Sequence, residues 1–485
     1  MLADALRAKR PHRLGLPLLV AGGAAVLGAI VALSAARHLA PLVAAVMGGV
    51  GLLYVILRRP GVVPYIALGW LVFEKVAELH VALDPATIDA LGDALLVVAL
   101  GWTLLVNLLR RRAPLFTMRQ IGPPLLAFLG LDVVSAVVND VPVHIAALGI
   151  LSPTHSLLIF LSLVNIGVEA RDVSRFVSTA VAVTALIGFV AVLQAMPGSP
   201  AWHLAATQPS EFTRGGYVRV PGIFKDAISL GDFLALVMPL GLMLLFFGPS
   251  RGRQRTVLLL ANLVVLLALL LTFTRGAWGG VLIGALVLGL TVERKLWWAT
   301  LKYVLPGVVA LGLLFVPIVN RLQETVQGNL RFTLFWDTLP LIRDHLWFGV
   351  GPGRFGGHIA LITGSPLYAE YHFPAFAYAT GGQVDMFWTH TVAESGLLGT
   401  AAYLAIIGTC FVVGRRAYRQ AVTPGRKALL LGLLYVIPVA VFVSLFSSVL
   451  EASSPATLFW ALMGLLTVLA NAPDGPSVSG GPDHA

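Results

Sequence analysis

The chain has 485 residues, of which 58% are hydrophobic and only 12% charged, and its mean hydropathy is +0.87. An average soluble domain is about a quarter charged and a disordered chain is poor in apolar residues, so both classes are excluded. A net charge of +10 would suggest nucleic acid in a soluble protein; in a chain this apolar it asks first which side of a membrane holds the cations.

About 20 apolar residues cross the roughly 30 Å hydrocarbon core as a helix, and a helix satisfies its own backbone in lipid. The chain offers fourteen such stretches. They lie near 15–35, 39–57, 60–80, 90–109, 120–138, 145–168, 175–196, 227–247, 256–273, 277–292, 299–319, 395–413, 428–447 and 455–471. Segments 60–80 and 145–168 carry polar residues. The first span follows a basic leader, but its apolar stretch is longer than a signal peptide's, so it reads as a retained anchor.

With the N-terminus inside, inner segments hold 22 of the 33 Lys and Arg and outer segments hold nine. This positive-inside asymmetry supports fourteen spans with both termini cytoplasmic. The expected organisation is 1–196 as membrane helices without motifs, 197–226 as a first outer loop, and 227–319 as further helices. A large outer loop at 320–394 follows, then helices at 395–471 and a disordered Gly/Pro/Ser-rich tail at 472–485. The single cysteine, Cys410, excludes an intramolecular disulfide and a cysteine-based metal site. No metal or cofactor is expected.

Long ordered loops usually carry function. The 320–394 loop has 75 residues, 13 of them aromatic. They suit headgroup contact or sugar stacking, with belt and packing roles the commoner reading for any one ring. Leu330, Leu334, Leu341 and Ile342 recur at helical spacing, so 330–346 reads as an amphipathic surface helix, which Pro340 should kink or interrupt.

The outer arginines oppose the charge bias. Arg275 sits in Thr274-Arg275-Gly276 at a hairpin between two spans. Arg219 lies in the first long loop, and Arg331, Arg343 and Arg354 in the second. Guanidinium forks match phosphate oxygens, so arginines converging near the headgroups suggest a phosphate or diphosphate ligand. The alternative is pairing with the outer acids Asp226, Asp337 and Asp344 or with lipid phosphate. Gly351-Pro-Gly353-Arg354-Phe355-Gly356 matches GxGxxG in letters only. No βαβ unit surrounds it, so it reads as a tight turn permitting close backbone approach.

Asp385, His390 and Glu394 precede the 395–413 span. If the helix begins near Asp385, His390 and Glu394 share a face. Asp385 or His390 could take a proton from a sugar hydroxyl; Glu394 could equally be structural. No HExxH or similar metal-ligand spacing occurs.

Four segments, taken in order, resemble the O-antigen ligase and O-antigen polymerase superfamily of bacterial polytopic enzymes. Arg219-Val-Pro-Gly222-Ile-Phe224 is similar to its Arg-x-x-Gly-x-Phe. Thr274-Arg275-Gly276 is similar to its Ser/Thr-Arg-Gly hairpin. Arg331, Trp336 and Phe348-Gly-Val-Gly-Pro-Gly353-Arg-Phe355 resemble the run in its large periplasmic loop, and Glu394-Ser-Gly396-Leu-Leu-Gly399 its Glu-x-Gly-Leu-Leu-Gly. The resemblance covers roughly 215–400. It implies an all-α, GT-C-like glycosyltransferase moving glycan from undecaprenyl diphosphate to an acceptor sugar outside the membrane. Arg219, Arg275 and Arg331 would hold the donor diphosphate, with Arg354 as a further contact and Glu394, Gly351 and Gly353 in support.

One departure counts against ligase identity. Where the ligases carry a His, eleven residues before the Gly-Leu-Leu-Gly run, this chain has Asp385. The leading expectation is therefore a polysaccharide polymerase with Asp385 as base and His390 as second candidate. The runner-up is an O-antigen ligase acting on lipid A core, and a lipid-linked glycan transporter is the rival of another class. Expected partners are the lipid-linked oligosaccharide, an acceptor glycan or lipid A core, membrane lipids and a chain-length regulator, but no nucleic acid.

Overall fold

The computed structural model describes residues 60–65, 68–69, 118–205, 213–214, 217–299, 302, 330–373 and 386–473. The expected spans 15–35, 39–57 and 90–109, most of 60–80 and nearly all of 299–319 lie outside the described residues, as do Asp385 and the tail from 474. Arg331 is described in its backbone alone.

Among the described residues the chain is helical apart from one antiparallel pairing, Thr213–Arg214 (β1) with Tyr217–Val218 (β2). The helices are α1 (Met118–Val138), α2 (Val143–Thr154), α3 (Leu157–Ile166), α4 (Ala170–Gln194), α5 (Ala227–Phe247), α6 (Arg253–Leu271) and α7 (Arg275–Thr291). They continue as α8 (Arg294–Ala299), α9 (Leu330–Asp344), α10 (His358–Thr363), α11 (Leu367–Glu370), α12 (Phe387–Gln420), α13 (Pro424–Val443) and α14 (Ser453–Asn471). Six are long and apolar enough to cross a membrane: α1, α4, α5, α6, α12 and α13. The pair α2–α3, bent by 56°, makes up to seven if it forms one span; α7 and α14 are shorter apolar helices.

Burial runs against the pattern of a water-soluble bundle. The apolar windows of α5 and α13 are 78% buried, whereas that of α6 is only 22% buried. On α6, Val257, Leu259, Leu260, Leu263, Leu266 and Leu267 all point outward. In water this would forgo several kcal/mol of burial; in hydrocarbon it costs nothing. The chain is an integral membrane protein by this measure, with α5, α13 and α14 at its centre.

Helices in lipid associate by close packing rather than by hydrophobic drive. The contact of α7 with α13 follows that rule. A Cβ added at Gly280 would stand 2.6 Å from Val443, and one at Gly284 2.7 Å from Tyr435 and Val439.

Two helices are broken. The first break, at His155-Ser156, separates α2 from α3. The second lies inside α12, where Gly396 has φ 66° and ψ −174°. Helix α12 begins at Phe387, well before the apolar stretch at 395–413. Hydropathy misses 387–394 because Thr389, His390, Thr391 and Glu394 are polar, yet all four are buried against protein. The helix expected over 330–346 is present as α9, with one correction. It runs through Pro340 rather than being interrupted there. Pro340 is exposed, so water can satisfy the carbonyl that lacks its usual N–H partner.

The loop holding α9 to α11 has its own small core of Leu334, Leu341, Val350, Phe355, Tyr368 and Phe373, joined by Met386 and Ala393 of the α12 segment. The Phe355, Tyr368 and Phe373 rings lie 5.2–5.7 Å apart. Trp336 and Trp347 stand out from it, 63% and 59% exposed.

Candidate active site

The first part of the site is the turn between α6 and α7. Phe273 there holds φ 52°, a left-handed conformation that an aromatic residue adopts only when its surroundings enforce it. The enforcement is visible. Thr272 donates its hydroxyl to Leu269 O at 2.7 Å, Thr274 Oγ1 donates to Ala227 O at 3.0 Å, and Trp278 Nε1 donates to Leu269 O at 2.8 Å. Gly231 of α5 has no room for a Cβ, which would sit 2.8 Å from Thr274.

Arg219 closes on this turn from the first loop. Its Nε donates to Thr272 O at 2.9 Å and its Nη2 to Thr274 Oγ1 at 3.3 Å. The rest of the Arg-x-x-Gly-x-Phe segment explains how it gets there. Gly222, with φ 62°, exchanges two 2.8 Å hydrogen bonds with the Gln194 side chain at the end of α4. Phe224 is buried beside Phe233 of α5 at 5.3 Å. Arg275 follows Thr274 at the first position of α7 and is exposed. It makes no hydrogen bond or ion pair among the described residues. The first-turn amides of α7 also lack a side-chain cap, so helix dipole and guanidinium present positive potential together.

The second part is the glycine-rich loop seated in the α12 break. Val350 N–H donates to Ala393 O at 2.8 Å and Gly351 N–H to Glu394 O at 3.0 Å. In return Leu397 and Leu398 N–H donate to Leu346 O and Trp347 O at 2.9 and 3.3 Å. The approach is so close that a Cβ at Gly396 would be 2.3 Å from Trp347 O, and one at Gly349 2.2 Å from Glu394 O. The Glu394 carboxylate accepts from Phe355 N–H at 2.8 Å, and Gly356 N–H donates to Tyr368 Oη at 3.0 Å. These amides are spent on partners within the protein, mostly on α12, so the segment reads as a bracket and not a phosphate cradle. Gly351 (φ 102°) and Gly353 (φ 77°) let it press on α1 and α2, close to Val141 and Ile145. Arg354 donates to Asn139 O at 3.0 Å, fastening the loop to the end of α1.

The third part is His390, one helical turn into α12. It is 3% exposed. Its Nδ1 lies 3.3 Å from Oε2 of Glu451, in the turn between α13 and α14. Glu451 Oε1 accepts from Ser152 of α2 at 2.8 Å. The end of α13 joins this pair to the arginine corner. Phe446 lies against Gly276. Ser447 donates to Asp232 of α5 at 2.6 Å, and its carbonyl receives the Phe387 N–H at 3.4 Å.

Of the residues predicted from sequence, Arg219 and Arg275 are brought to one turn, and His390 stands across the α13 terminus from them. Arg354 lies at the end of α1, engaged with Asn139. Glu394, Gly351 and Gly353 build the bracket. Neither Asp385 nor the Arg331 side chain falls among the described atoms. Two of the three acids named as alternative partners make other contacts. Asp226 caps α5 through Ile228 and Ser229 N–H at 2.8 Å, and Asp344 accepts from Tyr371 Oη at 3.1 Å. Burial of the Tyr371 phenol, then this bond to Asp344, raises its pKa.

Sequence reasoning missed Glu451 and Ser152. One signal existed for Glu451: it is the lone acid in the turn between two strongly apolar stretches. Ser152 had none, being one hydroxyl in an apolar helix.

Broken helices around a polar, partly cationic end define a polytopic helical membrane protein with a candidate anion site beside a histidine–carboxylate pair. Residues 260–404 match the family model described as O-antigen ligase, which supports the resemblance to the O-antigen ligase and polymerase superfamily over that stretch. The match takes in the Thr-Arg-Gly turn, α7, α9, the bracket and the start of α12. It supports activity of the ligase or polymerase type in general, with a lipid-linked glycan and an acceptor as substrates. No curated protein matches the chain.

Proposed function

We propose that the protein is a polysaccharide polymerase that joins undecaprenyl-diphosphate-linked repeat units at the outer face of the bacterial inner membrane. The observation that carries this reading is the Arg219–Thr274–Arg275 corner, a strained and heavily braced turn that leaves one guanidinium exposed. A braced cation is suited to charge that grows on a leaving diphosphate, because it needs no reorganisation when the bond breaks. Arg275 faces the diphosphate, Arg219 sets the turn and adds its own positive charge, and Arg331 is by resemblance the third cation. Asp385 or His390 takes the proton of the acceptor hydroxyl. Asp385 at the position where the ligases carry His favours polymerase over ligase.

The test is purified protein in detergent with a lipid-linked oligosaccharide. Elongated lipid-linked product supports the polymerase. Transfer only when lipid A core is added supports the ligase. Movement of donor without a new glycosidic bond would leave transport as the activity.

A further inference from the structure

Three segments far apart in sequence meet at His390: α2, the turn between α13 and α14, and the start of α10. Two of them, with Ser152 and Glu451, lie outside the stretch that matches the family model. We propose that Glu451 and Ser152 are positioning residues that make His390 the base, and that Gly357 holds open the approach of the acceptor hydroxyl to its Nε2. The proposal rests on the glycosyl-transfer reading and names the base within it.

Ser152 holds one oxygen of Glu451 at 2.8 Å, which directs the other toward His390 Nδ1 at 3.3 Å. The Nδ1 makes no aligned hydrogen bond in this conformation, and such contacts tighten when substrate is bound. A carboxylate facing Nδ1 keeps the proton there, so Nε2 carries the lone pair, and it balances the imidazolium that forms later. Phe387 packs edge-on to the ring at 5.7 Å and limits its rotation.

Gly357, just before α10, covers the other edge. A Cβ there would lie 3.2 Å from Glu451 Oε1, 3.7 Å from His390 Cε1 and 3.9 Å from Nε2. Its φ of −86° is open to any residue, so space and not backbone conformation calls for glycine. A hydroxyl of an acceptor sugar entering over Gly357 meets Nε2. Its proton passes to Nε2 while its oxygen bonds to the anomeric carbon of the donor. The bond from that carbon to the phosphate oxygen breaks, and the electron pair leaves with the polyprenyl diphosphate. The imidazolium then returns its proton to water.

The experiment measures initial rates of glycosidic bond formation by the full-length protein in detergent, varying donor and acceptor separately. Glu451→Gln should lower kcat by about 10²-fold or more, with KM for the lipid-linked donor within about twofold. Glu451→Asp should recover part of the loss, and Ser152→Ala should cost roughly 3- to 10-fold in kcat. Gly357→Ala should lower kcat/KM for the acceptor about tenfold while leaving the melting temperature unchanged. Wild-type kcat in Glu451→Gln, or equal losses of melting temperature and activity with no recovery in Glu451→Asp, would overturn the proposal. If Glu451→Gln does not fold, Ser152→Ala and Gly357→Ala decide, and full activity in both overturns it. An active wild type with an inactive Arg275→Ala and an unaffected Glu451→Gln removes this inference alone. A wild type that forms no glycosidic bond removes the glycosyl-transfer reading beneath it.

Discussion

The arginine corner and the glycine bracket are both braced by short contacts, but they end differently. In the bracket, the amides of Val350, Gly351, Phe355 and Gly356 all find partners within the protein. At the corner, Thr272, Thr274 and Arg219 satisfy one another and Arg275 is left exposed. Buried polar groups are ordinarily paired because leaving them unpaired is costly. A fully satisfied loop therefore reads as scaffold. A braced turn that ends in an exposed cation reads as chemistry. Both carry motif residues of the same family, so membership of a motif does not by itself separate the two roles.

Substitutions can break this contrast. The largest effect is expected at Gly396→Ala, where φ 66° and a 2.3 Å approach to Trp347 O leave no place for a methyl. It should lower stability by about 3 kcal/mol or more, read as a fall in melting temperature in detergent with activity lost in parallel. An unshifted melting temperature would mean that the bracket yields easily.

Arg275→Ala should do the opposite, cutting glycan transfer about 10²- to 10³-fold at an unchanged melting temperature. A wild-type rate would end the diphosphate role. Arg219→Ala should lower both readouts, with about 1–3 kcal/mol of stability lost as Thr272 O loses its charged donor. Arg219→Lys should not restore activity, since a point ammonium cannot reach Thr272 O and Thr274 Oγ1 together.

The smallest effect sharpens the comparison most. Arg354→Ala should cost about 1 kcal/mol of stability and change the transfer rate by less than about threefold. A loss in rate as deep as that of Arg275→Ala, at unchanged stability, would move Arg354 from the bracket into the diphosphate site, where the sequence first put it.

Much of the membrane architecture was legible in the sequence. The apolar stretches at 120–138, 227–247, 256–273 and 428–447 are helices close to their expected bounds. The break in 145–168 was not legible, because hydropathy registers apolar content and not the axis of a helix. The start of α12 was misjudged for a related reason. His390 and Glu394 lower the hydropathy of a segment whose polar groups are buried in protein rather than lipid.

The amino-acid sequence by itself determined the class of protein, since apolar content over some 20 residues dictates a helix in lipid. It also singled out Arg219 and Arg275, because a cation expected outside the membrane against the usual bias needs a reason. Only the tertiary structure decided which residues meet. Ser152 and Glu451 are 299 positions apart, and no local period or spacing relates them. Their partnership with His390 arises from helix packing, which depends on small residues such as Gly280 and Gly284 that let neighbouring backbones approach.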